Sequence, residues 1–140
     1  WNIFKSSPLV GVGYGENQRR LPEFYKKMGI PEQQFKGHAH NQYIHMLAGT
    51  GLLGLICYLL FWVLVFKKSA HAFWNFQNRH DEFHSALVLG VIAAMIVFLV
   101  GGLTEANFSI AKNRMVILTL ISIALSLLPP QESLKTSFFA

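Results

Sequence analysis

Three histidines, His38, His40 and His45, fall within eight positions and lead into an uncharged, glycine-punctuated apolar run. Imidazole changes charge near neutral pH, binds transition metals and accepts protons from alcohols. A His-x-His pair with a third His nearby has the donor type for a metal, but the motif holds no carboxylate or cysteine to complete a common ligand set. If residues 40–48 are helical, His40 and His45 point about 140° apart, which disfavours shared coordination. Two other uses stay open. One imidazole can act as a general base at a membrane surface, or the histidines can simply hydrogen-bond headgroups and backbone.

Other residues bear on the same question. Arg19-Arg20 offer planar guanidinium forks suited to phosphate or diphosphate, and equally suit a solvated basic pair. Glu105, in "GGLTEANF", is a carboxylate at the end of an apolar run, where charge is costly unless solvated or paired. It can orient an imidazole or an arginine, or merely end a helix. "GVGYG", residues 11–15, lacks the lysine of a P-loop and the spacing of a dinucleotide fingerprint, so it reads as a tight turn. His71, His80 and His84 fall in a polar connector and read as solvated surface. Cys57, the single cysteine, has no disulfide partner and reads as a small buried hydrophobe.

The elements that must position these groups are apolar and long. Of 140 residues, 52% are hydrophobic and 14% charged, well short of the roughly 25% charged of a soluble domain. Residues 46–66 are 21 positions without a charge, enough to cross a hydrocarbon core of about 30 Å. Lys67-Lys68 mark a membrane face, with Trp62 and Trp74 placed near it. A connector follows at 67–85, a second run of 18 residues at 86–103, a short turn at 104–114, a third run at 115–128 and a tail at 129–140. The third run has 14 residues and lengthens towards Phe108 if Lys112 and Arg114 snorkel. Continuous rather than alternating runs argue for helices over a barrel.

The expected fold class is therefore an all-α integral membrane protein. About three transmembrane helices follow a water-exposed segment, 1–45, that carries a short amphipathic helix from Leu21 to Met28 with Pro22 in its first turn. Gly49, Gly51 and Gly54 are expected to let a neighbouring helix approach closely. Because the chain opens on Trp rather than Met, it reads as part of a longer protein. The net charge of +5 is dispersed beside membrane-length segments, which favours a lipid bilayer and anionic lipid-linked partners over nucleic acid. Charge does not fix the orientation. Lys67-Lys68 favour a cytoplasmic connector, whereas Lys5, Arg19, Arg20, Lys26, Lys27 and Lys36 crowd the opposite side. A transporter would be expected to carry ionisable residues inside the membrane, and the first two runs hold none.

His40-Asn41, nine residues, then "GLLG" at 51–54 resembles the signature of the O-antigen ligase family. That superfamily of bacterial membrane glycosyltransferases also includes O-antigen polymerases and protein O-oligosaccharyltransferases. "SPLVGVGYG" upstream and "GLTEANF" downstream are similar to further family stretches, in the same order. The resemblance implies a multi-pass protein of the bacterial inner membrane, with the His-Asn loop in the periplasm and the connector and tail in the cytoplasm. This chain would be the C-terminal part of a larger helical bundle, inactive alone.

The implied reaction is metal-independent, needs no cofactor, and transfers a glycan with inversion from an undecaprenyl-diphosphate carrier. The acceptor is a hydroxyl, such as a lipid A core sugar, in lipopolysaccharide or surface polysaccharide biosynthesis. His40 would take the acceptor's proton, with Asn41, His38 and Glu105 in support and Arg19 or Arg20 as candidates to hold the diphosphate. A polymerase, a protein-glycosylating relative, or a non-catalytic transport subunit are the alternative readings.

Overall fold

The computed structural model describes residues 1–34 and 40–127. His38 lies outside the described residues, as do the end of the third apolar run and the tail. All regular structure among the described residues is helical, in the order α1 (Asn2–Ser6), α2 (Glu16–Lys27), α3 (Gln42–Asn78), α4 (Glu82–Gly101) and α5 (Ala111–Ser126). Short 3-10 turns occupy Glu32–Gln34 and Asn107–Ser109.

Two helices, α3 and α4, are long and apolar enough to cross a membrane. Their apolar residues do not form a single stripe. Leu53, Leu60, Leu64, Leu89, Val97 and Val100 are all more than half exposed, an arrangement suited to lipid and costly in water. Cys57 belongs to this exposed surface rather than to the core, because it faces outward from α3. The third apolar helix, α5, does start ahead of the uncharged run and takes Lys112 and Arg114 into its first turn; it has 16 residues.

The core lies where α3, α4 and α5 meet. Met46, Tyr58, Trp62 and Val65 of α3 pack on Val91 and Met95 of α4 and on Ile117, Ile121 and Ala124 of α5. Trp62 is 2% exposed, so it fills this core instead of anchoring at the interface; Trp74, at 63%, stays exposed. α3 also runs straight through Lys67-Lys68 to Asn78. Lysine is a good helix former, so a basic pair marks a change of solvent without ending a helix.

α2 begins after Gly15, well before Leu21, and Pro22 therefore sits inside it rather than in its first turn. The larger departure from a plain helix is in α3. Gly51 has φ 67° and ψ −167°, so the helix breaks there. The 8–13 segment fills the break. Leu52 N donates to Pro8 O at 2.9 Å and Leu53 N to Leu9 O at 3.1 Å. In return, Ala48 O accepts from Val12 N at 3.2 Å and Gly49 O from Gly13 N at 2.8 Å.

In an unbroken helix these same amides and carbonyls would bond each other, residue 52 to 48 and 53 to 49. The turn thus takes over two helical hydrogen bonds and leaves none of the four groups unpaired. This meets the requirement that irregular backbone at membrane depth be enclosed by protein. It also corrects the expected role of the glycines. A Cβ on Gly51 would lie 2.4 Å from the Leu9 carbonyl, and one on Gly49 would meet Gly13 O at 3.3 Å. What approaches closely is the backbone of a turn, not a helix. Gly54 makes room for the Thr50 side chain of its own helix.

A candidate active site at the head of α3

The head of α3 is built by four consecutive residues: His40, Asn41 and Gln42 reach the segment between α4 and α5, and Tyr43 reaches the last turn of α4. His40 precedes the helix with φ 42°, a left-handed conformation uncommon for a residue with a Cβ. Such a conformation costs on the order of 1 kcal/mol or more and persists only where its surroundings enforce it. Asn41 is the N-cap: its Oδ1 accepts from Ile44 N at 3.0 Å, while its Nδ2 donates to Leu103 O at 2.9 Å. Aspartate could cap but not donate, so the amide suits both tasks. Gln42, 1% exposed, donates its backbone N–H to Gly102 O at 2.8 Å and accepts from Phe108 N through Oε1 at 3.0 Å. Tyr43 donates its hydroxyl to Leu99 O at 2.8 Å.

This network brings His40 and Glu105 together across 65 residues of sequence. His40 Nδ1 lies 3.1 Å from Glu105 Oε2, and the other carboxylate oxygen accepts from Ala106 N at 2.9 Å. A carboxylate only accepts when ionised, so Nδ1 carries the proton in this pair and Nε2 becomes the basic nitrogen. The His40 side chain is 58% exposed, accessible to a substrate arriving from outside the helices.

His45 is placed differently. It is 3% exposed and turned towards α2, where Asn17 Nδ2 lies 3.1 Å from its Nδ1 and 3.5 Å from its carbonyl oxygen. Tyr14 packs edge-on against its ring at 5.9 Å. The sequence gives no hint of Asn17, which is 28 residues away and carries no motif. Gln42 is equally silent: it reads as one more polar residue at a helix start.

Arg19 pairs with Glu16 at 3.0 Å on an exposed face of α2, and Arg20 is exposed on the same helix. Lys27 beside Glu23 holds that carboxyl below its ordinary range, first through a hydrogen bond and then through its charge. A further cation stands at the same end as Glu105. Arg114 donates to Phe108 O at 3.2 Å and lies 5.9 Å from the Phe108 ring. Phe108 in turn is bonded to Gln42, next to the His40-Asn41 pair. Among the described residues no group of three or more metal-ligating side chains gathers.

The described residues thus form a helical bundle with a His–carboxylate pair held at the end of a membrane-length helix. The family described as O-antigen ligase matches residues 1–59, which contain the 8–13 turn, the helix break and the His40-Asn41 pair. Over 134 residues, 91% of this chain, it is 28% identical to the teichuronic acid biosynthesis protein TuaE of Bacillus subtilis. The chain spans a quarter of the length of that relative. No solved structure matches. The likeness to the O-antigen ligase family thus rests on residues 1–59, and the likeness to TuaE runs over most of the chain.

Proposed function

We propose that this chain carries the base end of a membrane glycosyltransferase that acts in surface polysaccharide biosynthesis. The observation that carries the reading is the His40–Glu105 pair at 3.1 Å, set on a strained backbone at the mouth of a lipid-spanning helix. The teichuronic acid relative supports the polysaccharide setting. The donor is a glycan on an undecaprenyl-diphosphate carrier, and the acceptor is a hydroxyl of a second glycan or of a lipid A core sugar. The active face is periplasmic, on the inner membrane.

In the step itself, His40 Nε2 takes the acceptor hydroxyl's proton as the oxygen attacks the anomeric carbon from the face opposite the carrier. The bond from that carbon to the diphosphate oxygen breaks, and the lipid diphosphate leaves with the electron pair. Glu105 fixes the tautomer and offsets the charge gained by the imidazole. Leaving is eased by cations on the diphosphate, for which Arg19, Arg20 and Arg114 are the candidates on this chain.

The test is His40→Ala in the intact membrane protein. The variant should insert normally and lose transfer of lipid-linked glycan by roughly 10²–10⁴-fold, the usual contribution of a general base. Transfer at the wild-type rate would remove the mechanism.

A further inference from the structure

A second recess opens on the other side of the α3 head, between α1, α2 and the first turns of α3. Its volume is about 210 Å³. That is below the roughly 300–1,000 Å³ of sites for drug-sized ligands, and suits one ring rather than a chain. Trp1 and Tyr25 contribute aromatic walls; Asn17, Gln18 and His45 contribute polar groups. No Lys, Arg, Asp or Glu lines it among the described residues.

This lining selects a chemistry. A phosphate would find no cation to pair with, and a lipid tail would strand two amides and an imidazole against hydrocarbon. A neutral sugar ring presents hydroxyls that both donate and accept, which amides match group for group, and an apolar face that packs on aromatic rings. Asn17 adds an independent sign. It is 5% exposed, its Nδ2 is committed to His45, and its Oδ1 is buried with no hydrogen-bond partner. A buried acceptor left unpaired is costly, and a shift of the Asn17 side chain into the recess would let a ligand hydroxyl relieve it.

We propose that this recess is a subsite for one neutral pyranose ring of a glycan substrate. The assignment rests on the glycosyltransferase reading for its biological meaning. Ile44 and His45 line the recess within about one turn of Asn41, so a ring bound there would hold its glycan beside His40. Pre-placing the substrate in this way lowers the entropy cost of bringing the hydroxyl to its base.

The experiment uses the intact membrane protein in nanodiscs. Methyl glucoside, methyl galactoside and methyl N-acetylglucosaminide serve as probes, with inorganic phosphate as the contrast, and binding is read by saturation-transfer NMR. At least one glycoside should bind saturably, and Gln18→Ala and Trp1→Ala, both at the exposed rim, should weaken it by up to about tenfold. In transfer assays the same variants should raise KM with kcat retained. A rise in the acceptor's KM places the ring on the acceptor, and a rise in the donor's KM places it on the donor.

Binding unchanged in both variants, preference for phosphate, or KM unchanged for both substrates overturns the subsite. The His40→Ala protein separates this failure from that of the function reading. It should keep glycoside binding while losing transfer. If it transfers normally, the base assignment falls and the glycoside titration still reports on the recess.

Discussion

Both ends of the α3–α4 pair carry a histidine hydrogen-bonded to a carboxylate, and the two pairs are alike in length. His40 Nδ1 and Glu105 Oε2 are 3.1 Å apart at the head of α3; His84 Nδ1 and Asp81 Oδ2 are 2.8 Å apart at the turn into α4. Their settings differ. The Asp81–His84 pair spans three residues, closes a helix cap through Asp81 Oδ1 and His84 N at 3.1 Å, and stacks its imidazole on Phe76 at 5.1 Å. Everything holding it is local. The His40–Glu105 pair spans 65 residues and is framed by Asn41, Gln42 and Tyr43, which reach across 62, 66 and 56 residues. A histidine–carboxylate contact alone is therefore no mark of a site. A long-range frame that holds the histidine in a left-handed backbone is a far stronger one.

The largest expected effect comes from breaking that frame. In Gly51→Ala a Cβ meets the Leu9 carbonyl carbon and oxygen at 2.4 Å, on a backbone at φ 67° that L side chains rarely adopt. The 8–13 turn cannot stay seated, and its four exchanged hydrogen bonds go with it. We expect loss of all measurable transfer and rapid amide exchange at Val12, Gly13, Leu52 and Leu53. Gly54→Ala tests the helix itself rather than the turn, because its added Cβ meets Thr50 Oγ1 and Cβ of α3, and rotation of the Thr50 side chain moves only the first of these. Retained protection of those four amides in Gly51→Ala would show that the break does not depend on glycine.

Next in size is the carboxylate that orients His40. Glu105→Ala should lower kcat by about 10–100-fold, taking as a guide the loss seen when the outer partner of a metal-bound histidine is removed. Glu105→Gln should recover part of the rate, since its carbonyl can still accept from Nδ1–H. His84→Ala, at the other end, should leave transfer unchanged. Equal losses in Glu105→Ala and His84→Ala would erase the distinction between the two pairs and point to general destabilisation.

Much of the α3 head was legible in the sequence. The resemblance of His40-Asn41 and the spaced "GLLG" to the O-antigen ligase signature singles out one histidine of three, and counting helices returns Glu105 to the same face. The break at Gly51 was not legible. Residues 46–66 form one continuous apolar run, and nothing in a hydropathy pattern reports the sign of φ. "GVGYG" reads as a turn, but that it trades hydrogen bonds with α3 depends on tertiary contact. Asn17 and Gln42 were missed for the same reason, since their partners lie 28 and 66 residues away. Trp62 and Cys57 were placed on the wrong surfaces because in a helix apolar all round, composition does not say which face meets lipid and which meets protein.

The smallest effect sharpens the comparison from the local end. The His84 backbone N–H, then its side chain, hold the Asp81 carboxyl below the usual aspartate range. A carboxyl with a lowered pKa in the fold stabilises it above the ordinary aspartate value of about 3.9, and that contribution fades as pH falls through the lowered value. Acidification below about pH 4 should therefore loosen the first turn of α4, and amide exchange at His84 and Ser85 should rise there. Asp81→Asn keeps a capping oxygen and should remove most of this pH dependence while leaving the turn formed at neutral pH. The head of α3 gives a clear contrast. Asn41, its cap, does not titrate, so protection at Ile44 should stay level over the same window. A matching loss at Ile44 would mean that the two ends open together and that the local cap reports on the whole bundle.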